Sequence, residues 1–313
     1  MKKHIKNFVL LTAGSIAAIH LLNKFLKFSA TVRELLKTTS GQYYDWRFGN
    51  VFYTKTGEGS PVLLIHDLTT GSSGYEWCEI ADELSKKHTV YTLDLLGCGR
   101  SDKPNLTYTN FLYVQMVSDF IKNVIGHKTD VIVTGDSSPF VITACTNDNS
   151  LFNKIIMINP TSLYRLNEIP SKRTKTLKFF VDLPILGTLL YNMYAMRNHM
   201  DDKFIEKYFF NPFKVKEEYI NTYYESSNLK EGKYLFSSIK GRYTNLNIVH
   251  ALKNIDNSMI IIGGEKEEDI HTTIEKYTHY NSSIETFLIA KTKHLPQLET
   301  PKELLEQLNI LLY

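Results

Sequence analysis

Cysteine is scarce in this chain of 313 residues: Cys78, Cys98 and Cys145 are an odd number at long, unequal spacings. They form neither a zinc-ligand pattern nor a disulfide framework, so no metal centre or disulfide scaffold is expected and the redox compartment stays open. A strong charge of either sign is missing too. The 36 Lys and Arg against 33 Asp and Glu leave a formal net charge of +3, and no basic cluster alternates with aromatics as a nucleic-acid groove requires. Nucleic acid is therefore not an expected partner. Internal repeats and low-complexity tracts are absent. Gly97-x-Gly99 in DLLGCGRSD follows a strand-like run but lacks the third glycine and the helix of a dinucleotide fingerprint.

Long uncharged runs are lacking as well, with one near case. Phe8 to Leu22 holds 15 residues without a fixed charge, short of the roughly 18 of an unambiguous membrane span. Continuing to Phe28 gives 21 residues if Lys24 and Lys27 snorkel. The expectation is a single membrane anchor over residues 8–28, within an N-terminal segment 1–38. Lysines at both ends leave its orientation open. Two alternatives stand beside it: a cleaved signal peptide ending near Ala13-Gly14-Ser15 or Ser15-Ile16-Ala17, or an amphipathic or core-packed helix. The chain would then be secreted or cytoplasmic.

What is present is a globular composition, 43% hydrophobic and 22% charged, long enough for one large domain with an insertion. Short apolar runs recur: PVLLIHD (61–67), TVYTLDL (89–95), DVIVTGD (130–136), KIIMINP (154–160), SMIIIGG (258–264) and ETFLIA (285–290). Helix-like segments such as EWCEIADELSKK and YVQMVSDFIKNVIG separate them. Continuous apolar strands alternating with helices imply an α/β fold: a mostly parallel sheet covered by helices on both faces, with functional residues at the carboxyl ends of the strands. YYDWRFG and NVFYTKTG read as an edge hairpin closed near Gly49 and Asn50. Between Asn159 and Met259 the alternation stops and the chain reads helical, broken at Pro170, Pro184 and Pro212. Leu186 to Met196 is apolar nearly all round, so one face is expected on the core and another on a cavity.

The stretch VIVTGDSSPFVI (131–142) reads as a strand turning sharply into a helix. A nucleophile elbow needs small residues two places on either side of the nucleophile, because the backbones come close there. Centred on Ser138 or Asp136 the flanks are too large, and Gly135-Asp136-Ser137-Ser138-Pro139 is the best frame. Ser137 is the candidate nucleophile.

Three further stretches, VLLIHDLTTGSSGYEW, DLLGCGRSDKP and KTKHLPQLETPKELLEQL, resemble the α/β-hydrolase superfamily, in particular its lid-bearing branch of esterases, haloalkane dehalogenases and epoxide hydrolases. The resemblance runs from about residue 43 to the C-terminus. It implies a core in two parts (39–160 and 245–313), a helical lid (161–244), and the chain order nucleophile, acid, histidine. His294 matches the family's base, and Glu267, three residues after Gly264, its acid, with Asp269 as the alternative. The backbone N–H groups of Leu68 and Ser138 would form the oxyanion hole, with His66 hydrogen-bonded beneath it.

Two positions depart from the family pattern. Asp67 stands where glycine is usual, and its charge would harm a developing oxyanion unless it points away. Pro139 replaces the second small residue and pushes Ser138 out of the helical region. The expected function is a serine hydrolase acting on an ester-like bond of an apolar small molecule, with Asp67, Phe179, Leu189 and Tyr191 against the substrate. Charged substrates should be poor. The alternative is a weak or inactive relative that binds an apolar ligand under the lid. Dehalogenase and epoxide-hydrolase mechanisms are disfavoured, since both need aspartate at the nucleophile position. No metal or organic cofactor and no protein partner is implied.

Overall fold

The computed structural model describes residues 2–38 and 40–312, with side chains described from residue 16 onward. Eight strands, β1 (Gly41–Trp46), β2 (Gly49–Thr56), β3 (Ser60–Ile65), β4 (His88–Leu93), β5 (Thr129–Thr134), β6 (Phe152–Ile158), β7 (Ser258–Gly264) and β8 (Glu285–Ile289), form one sheet. Their order is β1-β2-β4-β3-β5-β6-β7-β8. The hairpin β1–β2 is antiparallel and joins β4 antiparallel; every later pairing is parallel. The hairpin turns at Arg47-Phe48, earlier than the sequence pattern suggests, because Gly49 already pairs with Trp46.

The apolar runs form strands because both faces are covered. Val131 and Val133 pack with Tyr113 and Phe140 on one side, while Ile132 between them packs with Trp77 and Leu304 on the other. Alternate residues of a strand point to opposite faces, so a run without polar residues needs two layers of helices. Each such side chain, fully withdrawn from water, contributes about 1.5–3 kcal/mol. The sheet is thus fixed from both sides, and the loops at its carboxyl edge inherit that rigidity.

Between β6 and β7 the chain is helical, including Lys172–Asp182, Pro184–Tyr194, Glu217–Asn228 and Lys233–Lys240. The helix Lys2–Thr31 packs against Pro184–Tyr194 and Glu217–Asn228. The expected membrane anchor is corrected here: among the described residues no helix is long and apolar enough to cross a membrane. The 15-residue run already holds His20, and extending it to Phe28 brings in Asn23, Lys24 and Lys27, which dilute it; Asn23 Oδ1 accepts a hydrogen bond from Asn192 Nδ2 at 2.7 Å. The side chains of residues 8–13 and 15 in that call, which include Ala13 and Ser15 of the signal-peptide alternative, lie outside the described ones. After this helix, the N–H groups of Leu35 and Leu36 donate to the carboxylate of Glu225 at 2.8 and 3.1 Å.

The DLLGCGRSD turn is built around a buried ion pair. Asp94, wholly buried, accepts from Gly74 N, Arg100 N, Arg100 Nε and Arg100 Nη2 at 2.6–2.9 Å. Gly99 has φ +46, and a Cβ there would stand 2.3 Å from Asp94 Oδ2, so only glycine fits. Removing one partner of such a pair leaves a buried charge alone. Arg100→Ala should therefore lower the unfolding free energy by about 3–5 kcal/mol in denaturant titration. Arg100→Lys should recover only part, because an ammonium cannot make the paired N–H contacts. A loss below about 1 kcal/mol for Arg100→Ala would contradict this account.

Candidate active site

Strand β5 ends at Thr134, and the chain turns at Gly135 with φ +54 before the helix Ser138–Asn147. The sharp turn therefore falls two residues before the expected centre. A residue with positive φ at this point is strained unless it is glycine, and the frame based on small flanking residues overlooks a glycine as the centre itself. Ser137 is fully buried, and its Oγ donates to the carbonyl of His66 at 2.6 Å. The structure does not bring it to His294. Ser138 is helical (φ −57, ψ −41) despite Pro139, and its N–H donates to Gly135 O within the turn. Pro139 sits in the first turn of the helix, where an N–H has no intrahelical partner to lose.

The space over Gly135 is filled by Asp67. A Cβ built on Gly135 would lie 2.4 Å from Asp67 Oδ1. That oxygen accepts from two backbone N–H groups, Asp136 at 2.7 Å and Leu68 at 2.8 Å. Asp67 Oδ2 lies 3.3 Å from His294 Nε2, and His294 Nδ1 lies 2.9 Å from Glu267 Oε1. The imidazole is thus held between two carboxylates, with Tyr208 stacked on its ring at 5.4 Å between centroids. Of the two acids considered, Glu267 is the one on Nδ1. Asp269 precedes the helix Ile270–Tyr280 with φ +57.

Electrostatics follow from this geometry. Burial alone would lower the His294 pKa, but hydrogen bonds to Asp67 and Glu267 raise it well above the ordinary value, making it a cation at neutral pH. Burial would raise the Asp67 carboxyl; the hydrogen bond and charge of His294 reverse this, and Asp67 is held below its usual value. Asp136 is raised by burial and by Asp67, with Arg165 opposing. Its oxygens accept from Thr161 Oγ1 and from Arg165 Nη2, the latter at 2.7 Å. His66 donates from Nδ1 to Asp67 O at 2.7 Å and accepts from Leu95 N at Nε2, at 3.0 Å. Burial lowers its pKa, so it stays neutral.

Several site residues escape the sequence reading. Asn159, with φ +45 at the end of β6, donates from Nδ2 to the carbonyls of Lys293 and His294 at 2.9 Å and accepts from Gly264 N at 2.8 Å. It ties the β6 end to the loops carrying Glu267 and His294. Glu76 lies wholly buried beneath the Asp67 loop, accepting from Asp67 N, Gln297 Nε2 and Tyr223 Oη. A glutamate inside the helix-like run EWCEIADELSKK gives no hint of burial.

Asp67, Asp136, Glu267 and His294 open on a cavity of about 630 Å³. Its wall differs from the apolar surface expected. Phe179, Leu189 and Tyr191 are not part of it: Phe179 is exposed, and Tyr191 is buried with its hydroxyl on Ser227 O. Arg165, Lys203, Lys207, Lys240 and Lys293 line it instead, with Tyr194 and Phe236. The apolar helix Pro184–Tyr194 turns Tyr194 toward the cavity and leaves Leu186, Leu190 and Met193 exposed.

This sheet, with its turn after β5, an acidic side chain after β7 and a histidine after β8, is the framework of the α/β-hydrolase fold. The chain belongs to the alpha/beta hydrolase family, whose profile matches residues 62–307. Over 86 residues it is 35% identical to the 2-hydroxy-6-oxo-6-(2'-aminophenyl)hexa-2,4-dienoic acid hydrolase of Metapseudomonas resinovorans, a match spanning 27% of this chain and 29% of that protein. Over 92 residues it is 34% identical to the mesoderm-specific transcript protein of Mus musculus, spanning 28% and 27%. The chain thus covers less than a third of the length of these curated relatives. Among solved structures, a bacterial membrane phospholipase A superposes with a TM-score of 0.70 at 16% identity, over 100% of this chain and 98% of that one. An epoxide hydrolase gives 0.71 at 18% identity, over 86% and 96%. At such identities the likeness is one of fold.

Burial and the charge of Asp67 push the Glu76 carboxyl up to about 7. The folded protein then keeps a proton that the unfolded chain releases near its ordinary pKa of about 4.5. The associated stability is full below that value and is lost as pH rises through about 7. Between pH 5 and 8 the native protein should lose on the order of 3 kcal/mol relative to Glu76→Gln, compared by denaturant midpoints across pH. Parallel pH profiles for the two would show that Glu76 does not carry the proton.

Proposed function

We propose that the protein is a hydrolase whose reacting group is the Asp67 carboxylate, assisted by His294 and Glu267. One observation carries this reading: Asp67 Oδ1 takes both backbone N–H groups at the turn, over a Gly135 that has no side chain, while Oδ2 faces His294 Nε2. A hole already filled by an anion has no room for the oxyanion of a substrate ester. It suits chemistry in which the oxyanion forms on Asp67 itself.

In the first step Asp67 Oδ2 attacks an electrophilic carbon bearing an oxygen leaving group. A C–O bond forms to Asp67, the bond to the leaving oxygen breaks, and the protonated His294 gives that oxygen its proton. Asp67 is then a neutral ester, so His294 faces one carboxylate in place of two and its pKa falls. The neutral imidazole takes a proton from water, whose oxygen attacks Cγ of Asp67. Negative charge collects on Oδ1, where the N–H groups of Leu68 and Asp136 meet it. Collapse expels the alkoxide, which takes the proton from His294. The new Asp67 carboxyl then protonates the imidazole and restores the starting ion pair.

The serine-hydrolase reading is less well supported, because the Ser137 hydroxyl is spent on the His66 carbonyl. A second reading, a binding protein without turnover, is favoured by the empty side-chain position at Gly135. Single turnover in H2 18O with a panel of epoxides and esters separates the three. We expect 18O in the peptide holding Asp67, a loss of at least about 10³-fold for Asp67→Asn, and activity within roughly tenfold of native for Ser137→Ala. Fluorophosphonate labelling lost in Ser137→Ala would restore the serine reading. Absence of turnover on the whole panel would favour the binding protein.

A further inference from the structure

Three lysines of the helical insertion meet around one tyrosine. Lys203 Nζ donates to Tyr194 Oη at 2.9 Å and lies 4.6 Å from the centre of its ring. Lys240 Nζ lies 5.4 Å from the same ring and 5.8 Å from that of Phe236. Lys207 shares the turn Lys203–Tyr208 with Lys203, and all three line the cavity that holds Asp67 and His294. Among the described residues none of the three forms an ion pair. Arg165 differs, since Asp136 holds its guanidinium. Acids line the same cavity as well: Glu168 pairs with Arg242, Asp136 with Arg165 and Glu267 with His294, while among the described residues Glu206, Glu268 and Asp269 form no ion pair with the three lysines.

Ammonium groups gathered without an ion-pair partner repel one another, and an anion in their midst relieves the repulsion. The local potential is read by Tyr194. Burial would raise its hydroxyl pKa, yet Lys203, Lys240 and Lys207 bring it below the ordinary value. The aromatic faces add to the site, because Tyr194 and Phe236 hold the ammonium stems toward the cavity by cation–π contact. We propose that Lys203, Lys207 and Lys240 bind an oxyanionic tail of the substrate, a carboxylate or a phosphate, while its reactive carbon meets Asp67. In naming Asp67 as the reacting end, the proposal rests on the function proposed above.

The turn that begins at Lys203 ends at Tyr208, whose ring stacks on His294, so the lysines and the reacting carboxylate open on one cavity. The substrate class is therefore a molecule with an anionic group at one end and an electrophilic carbon at the other.

Binding without turnover tests the tail site separately from the chemistry. Hexanamide, hexanoate and hexyl phosphate are titrated calorimetrically into the full chain at two salt concentrations. Hexanoate should bind at least about tenfold more tightly than hexanamide, hexyl phosphate at least as tightly as hexanoate, and the preference should weaken as salt rises. Lys203→Met with Lys240→Met should abolish the preference, and Lys203→Arg with Lys240→Arg should keep it. Equal affinity for amide and acid in the native chain overturns the proposal. So does a preference that survives the methionine pair, or one lost only in Arg165→Met. Anion binding by the three lysines in a protein that fails the 18O experiment would leave this site standing and remove the reaction proposed for Asp67.

Discussion

One carboxylate organises the site. Asp67 stands in the loop two residues past the end of β3, at the carboxyl edge of the sheet, and its Oδ1 receives the two N–H groups that the turn after β5 and the loop after β3 present. Those donors would otherwise be unpaired in a buried place, a cost of about 1–3 kcal/mol each. The other oxygen meets an imidazole whose far side meets Glu267. Asp67 can occupy that space only because Gly135 leaves it vacant, so a glycine at one position and an aspartate at another form a single device. A side chain at Gly135 would displace the carboxylate, and a glycine at 67 would leave the N–H pair without an acceptor.

The rest of the site depends on keeping that anion in place. Burying a charge is costly unless it is paired, and Asp67 has a cation in His294 and two amide donors to offset the cost. Glu76 sits on the other side of the loop, accepting from Asp67 N, and its proton near neutral pH keeps a second negative charge from forming beside the first. Arg165 offsets the third acid, Asp136. Asn159 fixes the relative height of the loops that supply Glu267 and His294. Each neighbour limits the number or the movement of charges around one oxygen pair.

Much of the fold was legible because its cause is local. The six apolar runs are strands in the positions read, since a buried parallel strand needs an unbroken hydrophobic stretch and little else does. His294 and Glu267, read from the chain order of turn, acid and histidine, stand 2.9 Å apart in the structure. The sharp turn falls two residues before the centre read in GDSSP, because small residues at flanking positions and a glycine at the turn itself leave the same trace. The N-terminal helix was misread because it packs on insertion helices far along the chain, with Asn23 meeting Asn192, a distance over which composition says nothing, while Leu21, Leu22, Phe25 and Phe28 stay exposed. The charge of the cavity was invisible for a similar reason. Lys203, Lys207 and Lys240 are ordinary solvent-facing lysines in one dimension, and only the folding of separate helices gathers them around Tyr194.

These two ends of the cavity make different demands on a ligand, and together they are more selective than either. The Asp67 end is already neutralised by His294, so it offers a bound anion no further attraction and in fact repels one. The Tyr194 end carries cations without ion-pair partners among the described residues and attracts it. An anionic molecule entering between them is therefore oriented before any contact is optimised, its charged group drawn toward the lysines and its uncharged end left against Asp67. Orientation of this kind lowers the entropy that must be lost at the reacting carbon.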